Sequence, residues 1–285
     1  LEELSNTYAH IPGIWENTRR LLSQCSIDFQ FGAKRVSQNL QVFGKSKESD
    51  FNTLKNLCQE GLPSRYPDAN NQVRARLQRE LKVIQEMDFV SYFLINHDII
   101  TYAKNKGYFH VGRGSGANSI VAYIIGITDV DPIELDLYFE RFINPFRASP
   151  PDFDIDFSWK DRDDITDYIF KKHPNAALLA TYNTFKYRAT VRELGKVFGL
   201  PKSDIDQLSD GSFNRSKMEE IHRLVLKYGS LIQGMPNHLS VHSAGILILE
   251  RPIHFYSATD LPPKGFPTVQ FDMIIAEDAG IFKFD

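Results

Sequence analysis

The stretch Asp152-Phe-Asp-Ile-Asp-Phe157 limits the fold more than any other, because carboxylate and apolar residues alternate strictly. A two-residue period belongs to a strand and leaves no continuous face on a helix. It places Asp152, Asp154 and Asp156 on one surface and Phe153, Ile155 and Phe157 on the other. Same-face neighbours lie about 7 Å apart along a strand, so three like charges repel unless cations sit among them. An edge strand with its acidic face in water is the ordinary alternative. The preceding Pro150-Pro151, the aromatic opposite face and the uniformly acidic surface favour a ligand instead. Magnesium suits such a surface: it takes carboxylate and water oxygens and bridges substrate phosphates, and paired carboxylates can hold two ions for in-line phosphoryl transfer.

Bulk properties narrow the class. The chain has 285 residues, 42% of them hydrophobic, enough for one large core or two modest ones. No apolar run reaches membrane-spanning length and Leu1-Glu-Glu-Leu4 lacks the features of a secretory signal, so a soluble, cytoplasmic chain without membrane contact is expected. Cys25 and Cys58 are too few for a disulfide framework or a four-cysteine zinc site. A net charge of -3 argues against nucleic-acid binding through the whole-molecule field. Local charge is more informative: cations cluster at Arg74, Arg76, Arg79 and Lys82 and at Lys186, Arg188, Arg192 and Lys196, whereas aspartates pool between 129 and 167.

Periodicity predicts a surface helix before Phe31, a short helix with loops over 39–68, an amphipathic helix over 71–87 and a buried one from Phe89 to Tyr102. A glycine-rich turn, Gly112-Arg-Gly-Ser-Gly116, feeds the next helix. Further helices are expected at 161–172, at 185–198 and within 202–236. Strands are expected at 152–157, 176–181, 244–249, 268–272 and 280–285.

The glycine-rich turn offers unhindered backbone N–H groups, a hydroxyl and a guanidinium to a triphosphate. It lacks the Gly-Lys-Ser/Thr of a P-loop and the dinucleotide fingerprint. Phe282-Lys-Phe-Asp285 alternates in turn and places Lys283 and Asp285 on one face. His238 and His242 have the spacing of helical zinc ligands but no accompanying glutamate, and read as a hydrogen-bonded structural pair. No aspartate or nucleophile elbow accompanies Ser240 and Ser243, which argues against a hydrolase triad.

Taken in order, Gly112-Arg-Gly-Ser-Gly-Ala-Asn-Ser119, Ile127-Thr-Asp-Val-Asp-Pro132, Phe139-Glu-Arg-Phe142 with Asn144-Pro145, and Pro151-Asp-Phe-Asp-Ile-Asp-Phe157 resemble consecutive palm motifs of bacterial C-family DNA polymerases. The likeness continues through 184–199, Ser240-Val-His-Ser-Ala-Gly-Ile-Leu-Ile248, Gln270-Phe-Asp272 and Lys283-Phe-Asp285. It implies an α+β fold: a polymerase-beta-like nucleotidyltransferase palm, a mixed sheet with flanking helices, interrupted by a small helical thumb. It implies that Asp152, Asp154 and Asp285 are catalytic and hold two Mg2+ ions, with Asp156 supporting. Gly114, Ser115, Arg141 and Lys283 would contact the deoxynucleoside triphosphate. Lys186, Arg188 and Arg192 would track the backbone of primer-template DNA.

The same resemblance divides the chain into 1–45, the last helix of a missing N-terminal histidinol-phosphatase-like (PHP-like) domain; 46–194, the first part of the palm; 195–235, the thumb; and 236–285, the second part of the palm. Fingers and later domains, through which other replisome subunits bind, are not represented. The expected function is that of a piece of a DNA-directed DNA polymerase that transfers deoxynucleoside monophosphate to a primer 3'-hydroxyl in bacterial replication, inactive by itself. The pattern departs from the family at His110-Val-Gly112, which shortens the phosphate turn, and at Asn237, where an arginine is usual. Two other readings are a non-catalytic DNA-binding paralogue and a small-molecule nucleotidyltransferase.

Overall fold

Capping and burial place most of the helices. The computed structural model describes residues 2–11, 13–26, 31–32, 36–143 and 153–285, so Asp152, the Pro150-Pro151 pair and Asn144-Pro145 lie outside the described residues. Two short helices, α1 (Glu2–Thr7) and α2 (Ile14–Ser23), open the chain, and α2 buries none of its residues. The region expected to hold a short helix and loops forms one helix of 19 residues, α3 (Lys47–Arg65). Ser46 caps it by accepting from the Ser49 N–H, and Leu54 and Cys58 are buried in the core, which outweighs the local breaking tendency of Gly61 and Pro63.

In α4 (Asn71–Glu86), Asn70 caps the start and Val73, Leu77 and Ile84 form the buried stripe, as the periodicity predicts. Helix α5 (Val90–Lys106) is buried along most of its length and runs on through Lys104. It stops where Gly107 takes a left-handed φ of 75°. Strand β1 (His110–Arg113), the 3-10 turn Gly114–Asn118 and α6 (Ile120–Ile124) follow, then a second 3-10 turn at Phe139–Arg141. Strand β2 (Asp154–Phe157) pairs antiparallel with β1 to make a two-stranded sheet, and α7 (Arg162–Lys172) packs on α5.

The second sheet begins with β3 (Ala176–Thr184). The chain then leaves it for three helices, α8 (Tyr187–Val197), α9 (Lys202–Asp210) and α10 (Glu220–Ile232). These share a small core of Val191, Leu200, Ile205, Leu208 and Val225. Strand β4 (Pro236–Ile248) returns to pair with β3 and is longer than the expected 244–249. Short strands β5 (Thr259–Asp260) and β6 (Thr268–Val269), helix α11 (Met273–Asp278) and strand β7 (Lys283–Phe284) complete the chain. The strand order is β5-β6-β3-β4-β7, with β3 and β6 parallel and the other pairs antiparallel, a mixed sheet in an α+β fold. No described helix is long and apolar enough to cross a membrane.

Candidate active site

The β1–β2 pairing sets Arg113 directly opposite Asp154. Its guanidinium bridges the two described carboxylates of the acidic strand: Nη1 donates to Asp154 Oδ2 at 3.0 Å and Nε to Asp156 Oδ2 at 2.6 Å. The strand alternation thus puts Asp154 and Asp156 on one face, and a cation answers their repulsion. On the opposite face Phe153 is 2% exposed. Its ring lies among Tyr92 at 5.5 Å, Phe93 at 5.2 Å and Phe142 at 4.8 Å, and its N–H donates to the Tyr92 hydroxyl. Aromatic packing therefore fixes the height of the acidic strand.

The glycine-rich turn lies against that strand because two of its residues have no side chain. Gly114 has φ +76°, and a Cβ there would stand 2.6 Å from Asp154 Oδ2. At Gly116 a Cβ would stand 2.3 Å from Phe153 Cδ1. The backbone of the turn thus approaches the carboxylate more closely than any other residue type permits. Ser119, which follows the turn, caps α6 by accepting from the Ala122 N–H at 3.1 Å.

The far end of the chain meets the same place. The Ile155 N–H donates to the Asp285 carbonyl at 3.1 Å, joining β2 to the end of β7. Strand β7 is held on β4 by the registers Ile246 with Phe284 and Leu247 with Lys283. The residue before it is held by Asn39, whose side chain donates to Phe282 O at 2.7 Å and accepts from Phe282 N at 2.8 Å. Lys283 Nζ pairs with Asp285 Oδ2, and the two side chains are only 14% and 16% exposed. Among the described residues, Asp285 Oδ1 is buried without a hydrogen-bond partner.

Asp154, Asp156 and Asp285 all line a cleft of about 680 Å³, together with Arg113, Arg162 and Lys264. One wall is a bulge in β4: Leu178 pairs with Ile246 and Ala180 with Val241, so His242 to Gly245 loop out of register toward the cleft. His242 Nδ1 accepts from the Gly245 N–H at 2.8 Å and the Ala244 N–H at 3.3 Å. Burial, followed by the charge of Lys283, lowers its pKa. His238 is bonded separately, to Asn183, so the two histidines do not form the mutual pair expected of them.

The other anticipated residues are dispersed. Ser115 sits in the glycine-rich turn, whose segment packs against the Phe139–Arg141 turn. The Arg141 side chain is exposed and does not line the cleft. Lys186 precedes α8 and is exposed; Arg188 donates to the Ser209 carbonyl at 3.4 Å and Arg192 lies 3.8 Å from Asp206, so two of the three engage the helical unit itself. Asp152 lies outside the described residues. Among the described residues no three His, Cys, Asp or Glu side chains are grouped to hold a metal ion. The donor set is nevertheless one of hard carboxylate oxygens, and the second oxygen of Asp285, Oδ1, has no hydrogen-bond partner among the described residues, which fits a divalent ion of the magnesium class. Asn39 carries no local sequence signal, since its contact is 243 residues away.

The family model described as "Bacterial DNA polymerase III alpha NTPase domain" matches residues 52–285. The chain is similar over its whole length to the DNA polymerase III subunit alpha of Bacillus subtilis, at 35% identity and covering 27% of that protein. It is similar in the same way to the error-prone DNA polymerase of Symbiobacterium thermophilum, at 32% identity and 28% coverage. The DNA polymerase III subunit alpha of Escherichia coli K12 matches at 31% identity and 27% coverage. The chain thus spans about a quarter of the length of these curated relatives. With the matched span including the glycine-rich turn, the acidic strand and the terminal Lys283-Phe-Asp285, the chain belongs to the bacterial DNA polymerase III alpha NTPase domain family.

Proposed function

We propose that this chain is the palm and thumb of a DNA-directed DNA polymerase, with the two sheets and their helices as a polymerase-beta-like nucleotidyltransferase palm and residues 195–235 as the thumb. The observation that carries the reading is the meeting of Asp154 and Asp285, 131 residues apart in sequence, at one cleft beside a turn whose Gly114 and Gly116 carry no side chain. Family membership supports it. In this reading Asp152, Asp154 and Asp285 hold two magnesium ions, which when bound neutralise phosphate charge and make the primer 3'-hydroxyl a better nucleophile. Backbone N–H groups of Gly114 and Ser115 receive the triphosphate of a deoxynucleotide, with Lys283 and Arg141 supplying positive charge. Arg113 holds Asp154 and Asp156 at a fixed spacing in the absence of other cations. Lys186, Arg188 and Arg192 face the DNA backbone, and bonding of the latter two within the helical unit fixes their direction.

The test uses the natural protein that contains this chain. Asp154→Asn is expected to reduce primer extension by at least about a hundredfold with the folded state and primer-template affinity kept. Full extension by the folded variant overturns the reading. One observation favours a second possibility, a non-catalytic DNA-binding paralogue: every described acidic side chain of the cluster already has a basic partner, Arg113 or Lys283. Calorimetry decides between them, because a paralogue of that kind binds nucleotide no better when magnesium or manganese is added.

A further inference from the structure

Glu80 is fully buried, lies outside the acidic cleft and has no part in the chemistry described so far. Its partner is Arg76, one helical turn earlier on α4, whose Nε donates to Glu80 Oε1 at 2.5 Å. The pair points into the back of the glycine-rich turn. Arg76 Nη2 donates to the Asn118 carbonyl and to the Leu137 carbonyl, each at 3.0 Å, and the guanidinium lies 5.9 Å from the Phe139 ring centroid. Glu80 Oε2 accepts from the Ser119 hydroxyl at 2.8 Å. Asn118 in turn donates from its side chain to the Ser115 carbonyl at 2.8 Å. On the same helix, one residue before Glu80, Arg79 lies 3.3 Å from Glu140.

We infer that Arg76 and Glu80 are a positioning pair that locks the Gly114–Ser119 turn to the Leu137–Arg141 segment, so that both phosphate-facing segments keep one mutual geometry for an incoming nucleoside triphosphate. The inference rests on the proposed nucleotide site. A buried ion pair is a weak source of net stability, because desolvation offsets most of the attraction. Burial pushes the Glu80 carboxyl up, and Arg76 and Ser119 oppose that shift. What the pair supplies is direction. A planar guanidinium holds two carbonyls and a carboxylate at once, which a lysine ammonium on a flexible stem does not reproduce. Neither residue lines the cleft, so both act through the backbone of the two segments.

Arg76→Lys, which keeps the charge beside Glu80 and removes the fork, is the decisive variant in the natural protein. The expected result is an apparent KM for deoxynucleoside triphosphate raised about tenfold to a hundredfold, with kcat changed by less than about threefold and primer-template affinity unchanged. Deuterium uptake at 114–119 and 137–142 rises together. An unchanged KM, faster uptake in only one of the two segments, or wholesale unfolding of this charge-conserving variant each overturns the inference. Asp154→Asn assayed in parallel separates the two levels: retained extension there sinks the polymerase reading, whereas its loss beside an unaffected Arg76→Lys sinks only the positioning role.

Discussion

Gly116→Ala is the smallest change that should reach the acidic strand. The added methyl would stand 2.3 Å from Phe153 Cδ1, and ordinary contact begins near 3.4 Å, so turn and ring must separate by about 1.1 Å, the difference of the two. Phe153 has no room to give, because its ring is enclosed by Tyr92, Phe93 and Phe142. Overpacking of this kind costs about 1–3 kcal/mol. Since Phe153 directly precedes Asp154, the displacement passes into the carboxylate, and about 1 Å of misplacement lowers a positioned reaction about a hundredfold. Denaturant unfolding of wild type, Gly116→Ala, Phe153→Leu and the double variant measures the clash as a coupling energy. The double variant should recover part of the loss, because the smaller side chain vacates the space. Additive effects, or a Gly116→Ala protein as stable as wild type, would refute the reasoning.

Two further outcomes concern titration and reactivity. Burial pushes the Cys58 thiol up to about 12, so only about one part in ten thousand is thiolate at pH 8, whereas Cys25 is exposed. Iodoacetamide at pH 8 should therefore modify Cys25 and spare Cys58 until the chain unfolds; equal labelling of both contradicts the burial. Desolvation lowers the pKa of His97, His110, His173 and His242. Between these depressed folded values and the unfolded value of about 6.5, the unfolded chain binds protons that the folded chain refuses. The stability is thus complete above about pH 6.5 and is lost on acidification, by at most about 1.4 kcal/mol per histidine per pH unit. A stability curve that stays flat from pH 6.5 to 5.5 would show that these rings are hydrated.

Local sequence was sufficient wherever neighbours in the chain decide the outcome. The stripe of Val73, Leu77 and Ile84 made α4, the alternation after Phe153 made β2 and set Asp154 beside Asp156, and the glycines of the 112–116 turn marked the close approach to that strand. Sequence alone read α3 as broken, since Gly61 and Pro63 act locally while the burial of Leu54 and Cys58 that outweighs them is tertiary. It read β4 as short, because Pro236 to Ser243 is mostly polar or half-exposed and gains strand geometry from β3. Arg141 and Lys283 appear equivalent as cations in a sequence motif, yet among the described residues Lys283 meets a cleft carboxylate and Arg141 does not.

What the sequence by itself determined, then, is the inventory of local devices: the caps, the acidic strand, the bare turn and the basic helix. Tertiary structure alone decided which of them meet. The Asp285 backbone reaches Ile155, Asn39 grips Phe282, and Arg76 reaches Leu137 through contacts whose energy depends on shape and burial across distant segments. No periodicity records such contacts, because the chain separation between partners leaves no repeating pattern for one segment to impose on another.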